Sequence, residues 1–149
     1  HYTDGAFLAC VLIWLCANSI KSSWYMAKNV LIVDDNVDLR RILAKFLQSC
    51  GYETTEARSG QEAIDTAIAA KPNLILLDLT LPDMKGTDAA RALRKYPTTA
   101  HIPIIGCSAY FGTEFRQEAL RSGMTDYVQK PISAAGIATV VKQLIPSES

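Results

Sequence analysis

The feature that most constrains this chain is a regular alternation of two kinds of segment, which begins at Lys28. Short β-branched apolar runs alternate with longer stretches whose apolar residues recur every three or four positions, a pattern typical of strands and amphipathic helices. Strands separated by helices pair in parallel through right-handed crossovers, so the alternation predicts an α/β fold with a doubly wound, five-stranded parallel sheet. The predicted strands are Asn29–Val33, Tyr52–Glu56, Leu74–Leu77, Ile102–Gly106 and Thr125–Val128.

Apolar faces mark five predicted helices that follow the strands. The first runs between Asn36 and Cys50, and Gly51 is its expected stop. Apolar spacing marks the other four over 63–68, 89–93, 115–120 and 137–144. The runs Val30–Val33 and Leu74–Leu77 are apolar at every position, as expected for strands that are buried on both faces.

Composition excludes several classes of protein. The 149 residues suit one domain, and 15 basic against 15 acidic residues exclude the strong net charge of a non-specific nucleic-acid binder. The four cysteines form no CxxC pair and the chain has only two histidines, so no zinc cluster is expected. The scattered positions of the cysteines indicate reduced thiols and a cytoplasmic location.

Residues 1–25 differ in composition from residues 26–149, which we expect to form the domain. The apolar run over 6–17 is shorter than the roughly 20 residues that a membrane-spanning helix needs, and no basic residue of a secretory signal precedes it. Three interpretations stay open: read-through or cloning-derived sequence ahead of a true start at Met26, an extra helix packed on the domain or a partner, or a clipped membrane anchor.

Chemistry-bearing side chains follow the predicted strands. Asp34 and Asp35 follow the first strand, Asp78 the third, Ser108 the fourth, and Lys130 the fifth. The carboxyl ends of parallel strands meet at one sheet edge, where ligands of such folds bind. Clustered acids repel each other unless a cation neutralises them, and an oxygen-only ligand set favours Mg²⁺. A carboxylate that can attack phosphorus would then lie beside a metal, a lysine and a hydroxyl group that can hold phosphoryl oxygens.

Four fragments carry a family resemblance: VLIVDDN, LILLDLTLPDMKG, PIIGCSAY and DYVQKP. Because these fragments occur together and in this order, residues 28–145 resemble the CheY-like receiver domain of the bacterial two-component response regulators. The resemblance implies a flavodoxin-like fold of five βα units with the strand order 2-1-3-4-5.

The resemblance also implies a role for each residue at the strand ends. Asp78 would accept a phosphoryl group from a histidine kinase's phosphohistidine or from a small phosphodonor. Asp35, Asp78 and the backbone carbonyl of Thr80 would ligate Mg²⁺, while Asp34 would act through a coordinated water. These roles are what the family resemblance implies.

Further residues would bind the phosphoryl group, change conformation in response to it, or set the rate of its hydrolysis. Ser108 and Lys130 would hold phosphoryl oxygens, and Pro131 would be cis and shape the turn that aims Lys130. Tyr127 occupies the aromatic switch position and would turn inward as Ser108 moves. Thr80 and Tyr110 occupy the positions that modulate dephosphorylation, and we expect Tyr110 to slow attack by water.

The implied function is that of a response regulator and not of an enzyme, apart from self-directed phosphotransfer and slow autodephosphorylation. Its partners would be a sensor histidine kinase or a histidine phosphotransfer protein, and a downstream protein reached through the surface of the fourth helix, fifth strand and fifth helix. We expect a monomer or weak dimer, no nucleic acid bound through this chain, and membrane contact only if residues 6–17 are native.

Alternatives remain. The chain could be a receiver detached from a hybrid histidine kinase or a phosphorelay protein. A phosphatase of the haloacid dehalogenase type would need an acid where this chain has Thr80, and a flavodoxin-like electron carrier would place no acid pair near the FMN phosphate. A phosphorylation-independent receiver would lack one of the key residues, and the chain keeps all of them.

Overall fold

The computed structural model describes residues 27–110, 112–131 and 133–147. The proposed extension over 1–25, with its apolar run over 6–17, lies outside these residues, as does the start at Met26. Within the described ranges, no helix is both long enough and apolar enough to cross a membrane.

The described residues form five strands and five helices in strict alternation. The strands are β1 (Asn29–Val33), β2 (Glu53–Ala57), β3 (Leu74–Asp78), β4 (Ile104–Ser108) and β5 (Asp126–Gln129). The helices are α1 (Val37–Ser49), α2 (Gly60–Ala70), α3 (Gly86–Lys95), α4 (Thr113–Arg121) and α5 (Ala134–Leu144).

The sheet that these strands form is parallel throughout and has the order β2-β1-β3-β4-β5, which confirms the expected topology. Side chains of β1 and β3 alternate between two cores, as successive residues of a strand must. Leu31, Val33 and Leu77 point toward the core under α2, α3 and α4, whereas Ile32 and Leu76 point toward the core under α1 and α5. Every residue of β3 is buried, as predicted for a central strand.

Three predicted strand starts were too early by one or two residues, and the second to fifth strands end one or two residues later than predicted, at Ala57, Asp78, Ser108 and Gln129. The second strand begins at Glu53 instead of Tyr52, and the fifth at Asp126 instead of Thr125. The fourth begins at Ile104 instead of Ile102 because Pro103 has no backbone N–H to donate to the ladder. The carboxylate of Asp78 and the hydroxyl of Ser108 therefore belong to the last residues of their strands, where regular sheet hydrogen bonding holds the backbone.

Candidate functional site

Three acidic side chains meet at the carboxyl edge of the sheet. Asp34 directly follows β1, and Asp78 ends β3, its neighbour in the sheet. Asp34 is 4% exposed and Asp78 is 7% exposed, whereas Asp35 is exposed to solvent. One carboxylate oxygen from each of the three lies within 4.8 Å of the others. The structure therefore brings together the acids that the sequence placed on different strands.

Lys130 lies between two of these acids. Its Nζ is 2.9 Å from Asp34 Oδ2 and 3.3 Å from Asp78 Oδ2. The backbone N–H of Lys130 donates to the carbonyl of Ser108 over 2.7 Å, which ties the end of β5 to the end of β4. The peptide bond from Lys130 to Pro131 is cis, as expected. The lysine is thus fixed at both its backbone and its ammonium group.

The surroundings shift the pKa values of Asp78 and Lys130. Burial raises the pKa of the Asp78 carboxyl and the Asp34 charge adds to this, outweighing the N–H of Thr80 and the ammonium of Lys130, which lower it. Burial by itself would lower the pKa of Lys130, but the hydrogen bond to Asp34 and the two carboxylate charges outweigh it and the pKa of Lys130 is raised. The lysine therefore stays charged beside an acid that holds its proton more tightly than usual.

An apolar cavity adjoins these charged residues. It has a volume of about 260 Å³ and lies on the α1 and α5 side of Asp34, Asp78 and Lys130. Its wall includes Leu43 and Cys107, and burial raises the pKa of the Cys107 thiol to about 12. Cys107 therefore behaves as a small apolar core residue.

The three acids suit a hard divalent cation. Carboxylate oxygens without histidine or thiolate are the ligands that Mg²⁺ prefers, and one exposed carboxylate leaves room for coordinated water. The backbone N–H of Thr80 donates to Asp78 Oδ1 over 3.1 Å, so the backbone of Thr80 turns back over the acid. The individual ligand roles stay predictions: direct binding by Asp35, Asp78 and the Thr80 carbonyl, and binding through a water by Asp34.

Gly86 allows the loop after β3 to pass close to Asp78. A Cβ atom at Gly86 would lie 2.5 Å from the Asp78 backbone oxygen and 2.6 Å from the Cα of Leu79. Such distances fall far inside van der Waals contact, and backbone atoms of a central strand cannot easily move. Only glycine fits at this position, which is the first residue of α3.

The hydroxyl and aromatic residues form a second group on the α4 side of the site. Ser108 is buried, and its Oγ accepts a hydrogen bond from the backbone N–H of Tyr110 at 3.1 Å. Tyr127 is also buried, and its hydroxyl donates to the carbonyl of Tyr110. The two expected switch residues are therefore joined through the backbone of one residue.

Tyr110 itself lies at the surface. Its side chain is 61% exposed, and its ring stacks on Phe115 of α4 with a centroid distance of 5.4 Å. Both rings line a groove of about 750 Å³ between the loop after β3 and α4, and Thr80 and Ser108 line the same groove. The two expected modulators of dephosphorylation thus share one groove with the hydroxyl of Ser108.

The sequence did not reveal some residues that shape this site. Arg40 donates from Nη1 to the Asp34 carbonyl, and Asn36 donates its backbone N–H to Asp34 Oδ1. Asp83, in the loop after β3, accepts hydrogen bonds from the backbone N–H groups of Gly60 and Gln61 at the start of α2. These N–H groups lower the pKa of Asp83, since they favour its charged form. Asn36 could have been recognised from the sequence as an N-cap residue of α1. Arg40 and Asp83 could not, because they contact residues of other elements and the spacing of apolar residues does not predict such contacts.

Comparison with known proteins is consistent with this geometry. The family described as the response regulator receiver domain matches residues 30–142. The phosphate regulon transcriptional regulatory protein PhoB of Pseudomonas aeruginosa is 36% identical over 128 residues, which are 83% of this chain and 56% of PhoB. The polar-differentiation response regulator DivK of Brucella ovis is 35% identical over 80% of this chain and 98% of DivK. This chain therefore spans about half of the length of PhoB and nearly all of DivK.

Solved structures have the same fold. Chemotaxis protein CheY4 of Vibrio cholerae has a TM-score of 0.77 at 28% identity, over 80% of this chain and all of CheY4. The receiver domain of a Pseudomonas aeruginosa sensor histidine kinase, solved with a magnesium ion coordinated in its active site cleft, has a TM-score of 0.74 at 30% identity. That match covers 82% of this chain and all of the other. With its fold, its acidic sheet edge and its family match in agreement, the chain belongs to the response regulator receiver domains.

Proposed function

We propose that this chain is a phosphoacceptor response regulator in which Asp78 takes a phosphoryl group from a sensor histidine kinase or a histidine phosphotransfer protein. The observation that carries the proposal is the position of Asp78. It lies at the end of a central strand, with Lys130 Nζ 3.3 Å from one of its oxygens and two further carboxylates within 4.8 Å. This arrangement places a nucleophilic oxygen beside groups that can offset phosphate charge.

The transfer step is a displacement at phosphorus. An Asp78 carboxylate oxygen attacks the phosphorus of phosphohistidine, so that a P–O bond forms while the P–N bond breaks. The imidazole nitrogen keeps the electron pair of the broken bond, and the ring takes up one proton to leave as neutral imidazole. Water later attacks the acyl phosphate, which restores the carboxylate and releases inorganic phosphate.

Asp35, Asp78 and the Thr80 carbonyl would hold Mg²⁺, with Asp34 acting through a water. When bound, Mg²⁺ neutralises charge on the phosphoryl oxygens. Lys130 would hold one phosphoryl oxygen and is already fixed by its contacts with Asp34 and Asp78. Ser108 would hold another by donating its O–H, once its side chain turns from the Tyr110 N–H, which its Oγ now accepts, to the phosphoryl group.

This exchange at Ser108 is our proposed route from phosphate to signal. Losing the bond from Tyr110 N–H to Ser108 Oγ frees the segment whose carbonyl accepts the Tyr127 hydroxyl. A new phosphoryl group adds charge and acceptor oxygens, and a 100-fold change in a conformational ratio needs only about 2.7 kcal/mol. We propose that the surface of α4, β5 and α5 changes in response and binds a downstream protein, while Thr80 and Tyr110 set the lifetime of the phosphorylated form.

We propose a cytoplasmic monomer or weak dimer that signals by protein contact, with no catalysis beyond self-directed phosphotransfer and autodephosphorylation. The cytoplasmic location rests on the scattered cysteines of the sequence, which include no CxxC pair. A receiver that belongs to a hybrid histidine kinase remains the second candidate. The likeness to the receiver domain of a sensor histidine kinase supports it.

The test is phosphorylation of the full chain by acetyl phosphate with Mg²⁺, followed on a phosphate-affinity gel. We expect a retarded band for the wild type and none for Asp78→Asn or after addition of EDTA. Asp65→Asn is the matched control, because Asp65 is an exposed carboxylate on α2. If the wild type shows no shift, histidine kinases replace acetyl phosphate as donors, and a second failure contradicts the proposal.

A further inference from the structure

Asp34 is held at every polar group that it carries. Its backbone N–H donates to the carbonyl of Ala57 at 3.1 Å, and its carbonyl accepts from Arg40 Nη1 at 2.7 Å. Its Oδ1 accepts the N–H of Asn36 at 2.9 Å, and its Oδ2 accepts from Lys130 Nζ at 2.9 Å. Of these four contacts, only the one from Arg40 reaches the peptide group that connects Asp34 to Asp35.

Arg40 is itself fixed in place. Its side chain is 14% exposed, and its Nε donates to Glu56 Oε1 at 2.9 Å. Glu56 belongs to β2, where it pairs in register with Ile32 of β1. A guanidinium group has a rigid, planar set of donors, so one side chain can hold two acceptors in a defined geometry. Arg40 therefore links α1 to the end of β1 and to β2.

The Asp35 carboxylate has no such support of its own. It is exposed, and no side-chain hydrogen bond to it is present among the residues that the structure describes. Its position thus depends on the backbone that carries it. Because a peptide group is planar, the contact that fixes the Asp34 carbonyl oxygen also fixes the direction in which the chain continues to Asp35.

We propose that Arg40 is a positioning residue, which orients the peptide between Asp34 and Asp35 and so aims the Asp35 carboxylate at a bound Mg²⁺. The inference rests on the magnesium site of the proposed function. Arg40 touches neither the metal nor the phosphoryl group and acts only through the backbone. Groups that hydrogen-bond directly to metal ligands change metal affinity by about 10- to 100-fold when they are removed, and we expect the lower end of this range for Arg40, which acts through the backbone.

Charge and geometry make opposite predictions for this residue. As a nearby positive charge, Arg40 would oppose a cation, so its removal would tighten Mg²⁺ binding. As a positioning group, its removal would weaken binding. Lysine keeps the charge but lacks the fork that contacts two acceptors, so Arg40→Lys separates the two effects.

The experiment is a calorimetric titration of the full chain with Mg²⁺, without any phosphodonor. We expect Arg40→Lys and Arg40→Met each to raise the Kd by about tenfold. Arg41→Met is the matched control, because Arg41 is the next residue of α1 and is exposed, and its Kd should equal that of the wild type. Thermal unfolding without metal confirms that each variant is folded.

A second variant keeps the inference testable if Arg40→Met does not fold. Glu56→Gln leaves Arg40 in place but removes the charge that anchors it, and we expect a smaller rise in Kd; because loss of a negative charge also weakens cation binding, this rise supports the inference only together with the rise in Arg40→Lys. Wild-type affinity in both Arg40→Lys and Glu56→Gln, or tighter binding in Arg40→Met, would overturn the inference and leave the magnesium site standing. Failure of the wild type to bind Mg²⁺ would overturn both.

Discussion

The two sides of the candidate site are held by different kinds of contact. On the α1 side, Asp34 makes four hydrogen bonds, and Lys130 joins it to Asp78. On the α4 side, the side chains of Ser108 and Tyr127 each bond to the backbone of Tyr110, whose ring is largely exposed. Regions with few buried contacts open at lower free energy than densely bonded ones. We propose that the acidic side serves as a fixed receptor for phosphate and that the aromatic side is the part that responds.

The largest expected effect comes from breaking the fixed side at Lys130. Lys130→Met should slow phosphorylation of Asp78 by about 100-fold, because a preorganised donor to the developing charge is lost. It also leaves Asp34 and Asp78 without their shared cation. The measurement is the rate of phosphorylation by acetyl phosphate. Lys95→Met, at the end of α3, is the control, and equal rates in the two variants would contradict the account.

A change at Gly86 tests whether the fixed side depends on close backbone packing. Gly86→Ala should lower the free energy of unfolding by about 2 kcal/mol, because the new methyl group meets the Asp78 carbonyl at 2.5 Å. Urea denaturation measures this loss. Gly136→Ala, in the first turn of α5, is the control and should be neutral or stabilising by up to about 1 kcal/mol, since alanine favours helix.

A substitution on the responding side should lower stability slightly without changing the Mg²⁺ affinity of the acidic side. Tyr127→Phe removes the hydroxyl that donates to the Tyr110 carbonyl and should cost about 1 kcal/mol of unfolding free energy. Its Kd for Mg²⁺ should stay at the wild-type value, because Tyr127 makes no hydrogen bond to Asp34, Asp35 or Asp78 among the described residues. A changed Mg²⁺ affinity would mean that the two sides are not separate.

The smallest effect concerns pH. Burial raises the pKa of Asp78, so the folded chain binds a proton at a pH where the unfolded chain has released it. Between the ordinary pKa and the raised one, stability of the metal-free protein should therefore fall as pH rises. Mg²⁺ must displace this proton, so its affinity should fall as pH is lowered through the same range. Unfolding curves of the wild type and Asp78→Asn check the first statement, and the variant should show the flatter dependence.

Much of the fold could be predicted from sequence because it depends on local patterns. Apolar spacing located all five helices of the described residues, and the strand order followed from family resemblance. The boundary of β4 was missed because Pro103 limits pairing with a strand that is distant in sequence. The acids of the site were found because they follow strands, whereas Arg40 was not, since its partners Asp34 and Glu56 become neighbours only after β1 and β2 pair.

The most direct test of the central claim is to locate the phosphoryl group chemically. The full chain is phosphorylated with Mg²⁺, the acyl phosphate is reduced with borohydride, and the modified residue is identified by peptide mass spectrometry. The account predicts reduction to homoserine at position 78 and at no other carboxylate. Modification at Asp34 or Asp35 in place of Asp78, or at none of the three under conditions where a kinase donor is active, would contradict it.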